Sequence, residues 1–177
     1  MPFKIDKLIQ RKIVSNKPFA HKYLDSVLKW APFASIFVFD ALGCKMKNSF
    51  KRRVMLACLS EGIQAAITES LKKNIHEFRP QPSLSSQSFP SGHTATSFAG
   101  AEILRTELKT SHPVLAWSGY TVAVAAAVLR LYDNKHWFSD VTAGAAIGII
   151  STQIAVALFD KLKRNKFNGQ EDKQLVD

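Results

Sequence analysis

Pro113–Leu129 reads PVLAWSGYTVAVAAAVL, Arg130–Asp140 reads RLYDNKHWFSD, and Val141–Phe159 reads VTAGAAIGIISTQIAVALF. Two uncharged runs, of 17 and 19 residues, therefore flank one short polar segment. A bilayer core asks for about 20 helical residues, with a usual range of about 17–25. Both runs read as spanning helices, and the polar segment between them as their junction at one membrane face. Its charged groups are costly at that depth unless they do chemistry.

Working outward, two further spanning candidates cover about 28–43 and 53–71, the second containing the lone Glu61. A helix over about 92–108 carries Glu102 and Arg105 near its end. It is too polar to face lipid all round and belongs inside the bundle. Residues 3–14 have Ile5, Leu8, Ile9 and Ile13 at helical spacing, with Lys4, Lys7 and Arg11 on another face. Such a segment lies in the headgroup region. The expected fold is all-α: an integral-membrane helical bundle of about five spanning helices plus an N-terminal amphipathic interfacial helix. Three parts follow: 1–27 as the interfacial segment, 28–160 as the embedded domain, and 161–177 as a polar tail. The stretch 80–91, rich in Ser, Pro and Gln, reads as an ordered loop.

With 177 residues, one domain is the simplest reading. A net charge of +10 asks for an anionic partner. Nucleic acid is a poor fit, because no recognition motif is present and the aromatics sit in apolar runs. An anionic membrane surface or a phosphorylated lipid fits better. Cys44 and Cys58 have no metal or redox spacing and read as small apolar residues. The basic N-terminus lacks a cleavage pattern after its first apolar run, so no signal peptide is expected.

Three polar blocks stand out against this background. They are Lys72-Lys73-Asn74-Ile75-His76-Glu77-Phe78-Arg79-Pro80, then Pro90-Ser91-Gly92-His93, then Arg130–Asp140. Alternating helix directions carry all three to the same bilayer face. The opposite loops hold Lys45, Lys47, Lys51, Arg52 and Arg53, with Lys161, Lys163 and Arg164 after the last span. The positive-inside tendency puts those loops in the cytoplasm. The blocks then face outward, into the periplasm if the membrane is a bacterial inner membrane.

In order and spacing the blocks resemble the signature of the type 2 phosphatidic acid phosphatases: K-x6-R-P, P-S-G-H and R-x5-H-x3-D. That superfamily also includes bacterial acid phosphatases and vanadium haloperoxidases, and the resemblance covers roughly residues 54 to 160. One position departs: the family usually has Ser before the Arg of the third block, and this chain has Leu129. The resemblance implies a metal-independent lipid phosphatase, with nucleophile His136, orienting carboxylate Asp140 and acid/base His93.

The residue types support that chemistry on their own terms. Phosphoryl transfer needs charge stabilisation on three equatorial oxygens. Lys72, Arg79 and Arg130 suit that task, the arginines through bidentate geometry. Gly92 admits close backbone approach at a helix start, where free N–H groups and the helix dipole favour an anion. Ser91 can cap that helix. His136 and Asp140, four apart, fall on one helical face, so the carboxylate can fix the ring tautomer for attack on phosphorus. His93 is then available as general acid, and later to activate water. Zinc is a poor match, because three neighbouring cations would oppose it. Lys73 and Lys135 read as interfacial cations, and His76 stands at an open signature position.

The expected enzyme takes a phosphorylated lipid as substrate, with membrane lipids as surroundings, no cofactor and no nucleic acid. Its oligomeric state is left open. Candidate substrates are lipid A, undecaprenyl pyrophosphate, phosphatidylglycerol phosphate and phosphatidic acid. The rival class is a non-catalytic lipid-phosphate binding or transport component, which would need the cations but not His136 with Asp140.

Overall fold

Ser91 caps the helix around which the others pack. Its side chain accepts the Thr94 N–H at 3.5 Å, and Gly92 opens the helix. The computed structural model describes residues 2–14, 22–81 and 87–174. Residues 15–21 of the N-terminal segment, 82–86 of the 80–91 loop and 175–177 of the tail lie outside the described residues. The elements are α1 (Lys4–Ile13), α2 (Lys22–Ala41), α3 (Phe50–Asn74), α4 (Gly92–Leu108), α5 (Ser118–Tyr132) and α6 (Phe138–Gln174). A 3-10 turn, Leu115–Trp117, precedes α5. Among the described residues there is no strand, only an isolated bridge between Glu77 and Gln87.

Helix α4 is the hub and touches α2, α3, α5 and α6. Thirteen of its residues are buried, Glu102 and Glu107 among them, as its polar sequence leads one to expect of an inner helix. The α4–α6 seam is built from small residues. A Cβ on Gly144 would come within 2.5 Å of the Ser91 carbonyl oxygen. One on Gly148 would overlap the Ala95 carbonyl oxygen and lie 2.8 Å from the Ala99 nitrogen. One step further along, Thr152 Oγ1 donates to the Ala99 carbonyl at 3.1 Å and pairs with Ser60 Oγ of α3 at 2.6 Å. Positions 144, 148 and 152 form a four-residue stripe on α6, facing 91, 95 and 99 on α4. This is the small-xxx-small packing that lets helix backbones meet inside a bilayer. Continued toward the N-terminus, the same stripe reaches Asp140.

The bundle buries polar groups beside its apolar core and turns apolar side chains outward. Helix α3 buries Ser60, Gln64 and Thr68, while Val27, Trp30, Val38, Met55, Val124, Val128, Ile150 and Ile154 are exposed. Among the described residues, two stretches are long and apolar enough to cross a membrane: Leu115–Tyr132, and Phe138–Arg164 within α6. The other three helices expected to span are present, but charge dilutes them: Asp25, Lys29 and Asp40 on α2, Arg52 through Lys73 on α3, Glu102 through Glu107 on α4. At one end, Glu107 accepts from Asn48 N at 2.9 Å and Asn48 Nδ2 at 2.6 Å, and Arg53 pairs with Asp40. The other end holds all three polar blocks.

Candidate active site

The turn between α5 and α6 is wound tightly before it presents any side chain. Asp133 N–H donates to Leu129 O at 2.9 Å, Asn134 N–H to Leu131 O at 3.0 Å, and Lys135 N–H to Arg130 O at 3.0 Å. Asn134 takes a left-handed φ of 56°, a conformation that Asn tolerates better than most residues. His136 lies in this turn, two residues ahead of Phe138, the first residue of α6. Only Asp140 is helical, so the expectation of both in the first turns of one helix is half right. The pair forms all the same: His136 Nδ1 and Asp140 Oδ2 are 3.3 Å apart.

Asp140 is fully buried. Its Oδ2 also accepts the Trp137 N–H at 2.9 Å and the Ser88 hydroxyl at 2.5 Å. Ser88 is held in turn by its own N–H, which donates to Glu77 O at 2.8 Å. No sequence signal separates Ser88 from the other serines of its loop, and its partner is 52 residues away. Hydrogen bonds to charged groups contribute about 1.5–3 kcal/mol, so Ser88→Ala should lower kcat roughly 10- to 150-fold with little change in KM. Steady-state kinetics on the folded variant check this.

The second and third blocks are joined through backbone: Ser91 N–H donates to Asp140 O at 3.0 Å. The Ser91 hydroxyl is engaged within its own helix start, pairing with Thr94 Oγ1 at 3.0 Å. The first and second blocks meet where a Cβ on Gly92 would lie 3.6 Å from Lys72 Nζ. Lys72, Gly92 and His93 line a cleft of about 260 Å³ together with Lys29, Glu61 and Thr96. Lys72 Nζ is also 3.2 Å from Glu69. The first and third blocks are tied by Trp137 Nε1, which donates to Phe78 O at 2.8 Å, and by Gln81 N–H, which donates to Asn134 O at 3.1 Å. Trp137 thus acts as a strut between blocks. Arg130 is buried, and Arg79 Nε is buried with no hydrogen-bond partner among the described residues. Lys135 pairs with Asp133 at 3.0 Å, and His76 is exposed. Leu129 looks away from the turn and lines an apolar groove with Leu24, Leu28, Val124 and Val128.

Burial holds the His136 imidazole below its ordinary value; the Asp140 hydrogen bond pulls the other way, and Arg130 and Arg79 push it further down. The ring is therefore neutral at neutral pH, with Nδ1 placed against Asp140. Protonation comes only as pH falls through that depressed value. At pH about 6.5, where a free imidazole is half protonated, the His136 ring should remain mostly neutral. Ring-15N NMR titration in detergent reads this directly, and a midpoint at or above the free value contradicts it. Glu77 moves the other way: burial raises its carboxyl, and the nearby Asp140 charge adds to the rise.

Among the described residues, no group of three or more His, Cys, Asp or Glu could hold a metal ion. Lys72 and His93 share a cleft at the start of α4, and the His136–Asp140 pair is joined to the same helix start through Ser91; cations at a helix N-terminus suit an oxyanion.

The arrangement has counterparts. A lipid A 1-phosphatase of Porphyromonas gingivalis is 28% identical over 166 residues, covering 93% of this chain and 37% of the relative. The chain thus spans little more than a third of the length of that relative. Among solved structures, LpxE of Aquifex aeolicus superposes with a TM-score of 0.65 at 22% identity, over 88% of this chain and 96% of its own. A transmembrane PAP2 type phosphatidylglycerolphosphate phosphatase of Bacillus subtilis gives 0.63 at 21% identity, over 90% and 87%. At those identities the likeness is one of fold. The family model of the PAP2 superfamily matches residues 53–164, a span that contains all three polar blocks and more than half the sequence, and the chain belongs to that superfamily.

Proposed function

We propose that this chain is a membrane-embedded phosphatase that removes phosphate from an amphiphilic lipid through a phosphohistidine intermediate. The observation that carries the reading is the Ser91 N–H···O=C Asp140 bond, beside the His136–Asp140 pair. It fixes the start of the phosphate-cradling helix against the nucleophile's orienting residue. In the first step His136 Nε2 attacks phosphorus, the bond from phosphorus to the lipid oxygen breaks, and His93 gives that oxygen its proton. In the second, His93 takes a proton from water, the water oxygen attacks phosphorus, and His136 is released with inorganic phosphate. Lys72, Arg79, Arg130 and the N–H groups at the start of α4 stabilise the equatorial oxygens. Asp140 holds Nδ1–H throughout.

Helices α2 to α6 cross the bilayer in this reading. Segment 1–27 lies at the surface, 28–160 forms the embedded phosphatase domain, and 161–177 extends into the polar phase beyond it. The basic loop around Lys45–Arg53 is cytoplasmic, and the site opens to the periplasmic face of a bacterial inner membrane. The outward apolar belt supports the embedding, and exposed Phe3, Ile5 and Leu8 support an interfacial α1. The lipid A 1-phosphatase relative supports a sugar-phosphate lipid as substrate. The apolar groove lined by Leu129, of about 610 Å³, offers room for acyl chains one residue along α5 from Arg130.

Phosphate release from a panel of lipid phosphates in detergent, with excess EDTA, tests the proposal. Release is expected to survive the chelator, with a lipid A 1-phosphate hydrolysed fastest. A folded protein that binds these lipids and turns over none of them is a binding component instead.

A further inference from the structure

Asp6 is fully buried on a helix whose neighbours Lys4, Ile5, Lys7 and Leu8 are all exposed. A carboxylate on a surface helix is normally solvated, so its burial requires good partners. It has them from two helix starts. Oδ2 accepts the Phe3 N–H of its own helix at 2.7 Å and the Ser139 hydroxyl at 3.1 Å, and Oδ1 accepts the Ser139 N–H at 2.8 Å. The positive ends of α1 and α6 therefore converge on one anion. At the start of α6, one N–H is met from within the helix and one from another element. Trp137 N–H goes to Asp140, and Ser139 N–H goes to Asp6, 133 residues away in sequence.

One helical turn along α1, Gln10 Nε2 donates to Asn134 Oδ1 at 2.8 Å. Asn134 is the left-handed residue of the turn, and its carbonyl also accepts the Gln81 N–H of the loop that follows the first block. Ile13, at the end of α1, packs with Phe98 and Phe138 against Ala127, Leu131 and Val141. The contacts of α1 thus bracket His136, two residues before it at Asn134 and three after it at Ser139.

We propose that α1 is a clamp on the nucleophile turn, with Asp6 and Gln10 as positioning residues that set the His136 and Asp140 geometry without touching substrate. Asp6 works as a remote N-cap: it fixes the first turn of α6, and so the direction of Asp140. Gln10 fixes the left-handed corner from which His136 emerges. The proposal rests on the phosphatase reading for its kinetic consequence and on geometry alone for its spectroscopic one.

Asp6→Ala, Asp6→Asn and Gln10→Ala, in the full chain in detergent, form the test. Asp6→Ala should lower kcat by roughly 10-fold or more with KM within about twofold, because a buried charge-assisted contact to the turn is lost while the phosphate ligands stay. Asp6→Asn keeps one carbonyl acceptor for the Ser139 N–H and should recover a large part of the loss. Gln10→Ala, which leaves the buried carboxylate in place, should cost about 2- to 10-fold in kcat, and it keeps the test readable if Asp6→Ala does not fold. Ring-15N NMR of His136 without substrate supplies the second readout: its Nδ1–H signal should broaden or shift in Asp6→Ala and return in Asp6→Asn. Unchanged kcat and unchanged His136 signals in the folded variants overturn the clamp. A shifted His136 signal in a chain that releases no phosphate from any lipid overturns the phosphatase reading and leaves the clamp standing.

Discussion

His136→Ala should abolish lipid phosphate release, with a loss on the order of 10⁴-fold or more, as for other enzymes that lose a covalent nucleophile. His93 lines the cleft from α4, and the Asp140 carboxylate lies against His136. Removing His93 should produce a different defect. His93→Ala should lower turnover roughly 10²–10⁴-fold, the usual contribution of a general acid–base group. With an activated leaving group the first step no longer needs a proton, so His93→Ala should still form the phosphoenzyme and then hydrolyse it slowly. An acid-labile, base-stable phosphate bound to the protein is the expected mark, and it should be missing from His136→Ala. Near wild-type turnover in a folded His136→Ala protein would sink the mechanism.

The second large effect lies far from the chemistry. Gly148→Ala should destabilise the protein by about 1–3 kcal/mol or more, the cost of overpacking a filled interior, and Gly148→Leu should prevent folding. The added carbon would meet the Ala95 carbonyl oxygen and the Ala99 nitrogen. Both are backbone atoms of a helix packed on by four others, so neither can move aside cheaply. Gly62→Ala is the matched control. Nothing lies within 4 Å of a Cβ at that position, and alanine is the better helix former by about 0.5–1 kcal/mol. It should be neutral or slightly stabilising. Thermal unfolding in detergent ranks the three variants, and equal losses for Gly62→Ala and Gly148→Ala would show that the seam is not tight. Activity should fall with stability at Gly148, because the same α4–α6 seam brings Ser91 to Asp140.

The helix inventory was legible before any coordinates, because apolar runs near bilayer length and the caps that end them are local properties. The burial of α4 was legible for a related reason: Glu102 and Arg105 make it too polar for lipid. The candidate roles of His136, Asp140, His93, Lys72, Arg79, Arg130, Ser91 and Gly92 also came from the sequence, since each sits inside a short block with fixed internal spacing. The stripe 140, 144, 148, 152 was also present in the sequence, but a glycine in an apolar run does not announce which backbone it faces.

Tertiary structure decided the rest. Ser88 is one serine among several until the fold lays it 2.5 Å from Asp140. Asp6 is one charge on an amphipathic helix until the fold buries it at the start of α6. Residue spacing encodes which side chains share a helix face, because the helical repeat is fixed. It does not encode which distant donor will satisfy a buried carboxylate, because that depends on how six helices settle against one another. The sequence alone determined the helices and the chemical groups they carry; packing between helices determined which of those groups hold His136 and Asp140 in place.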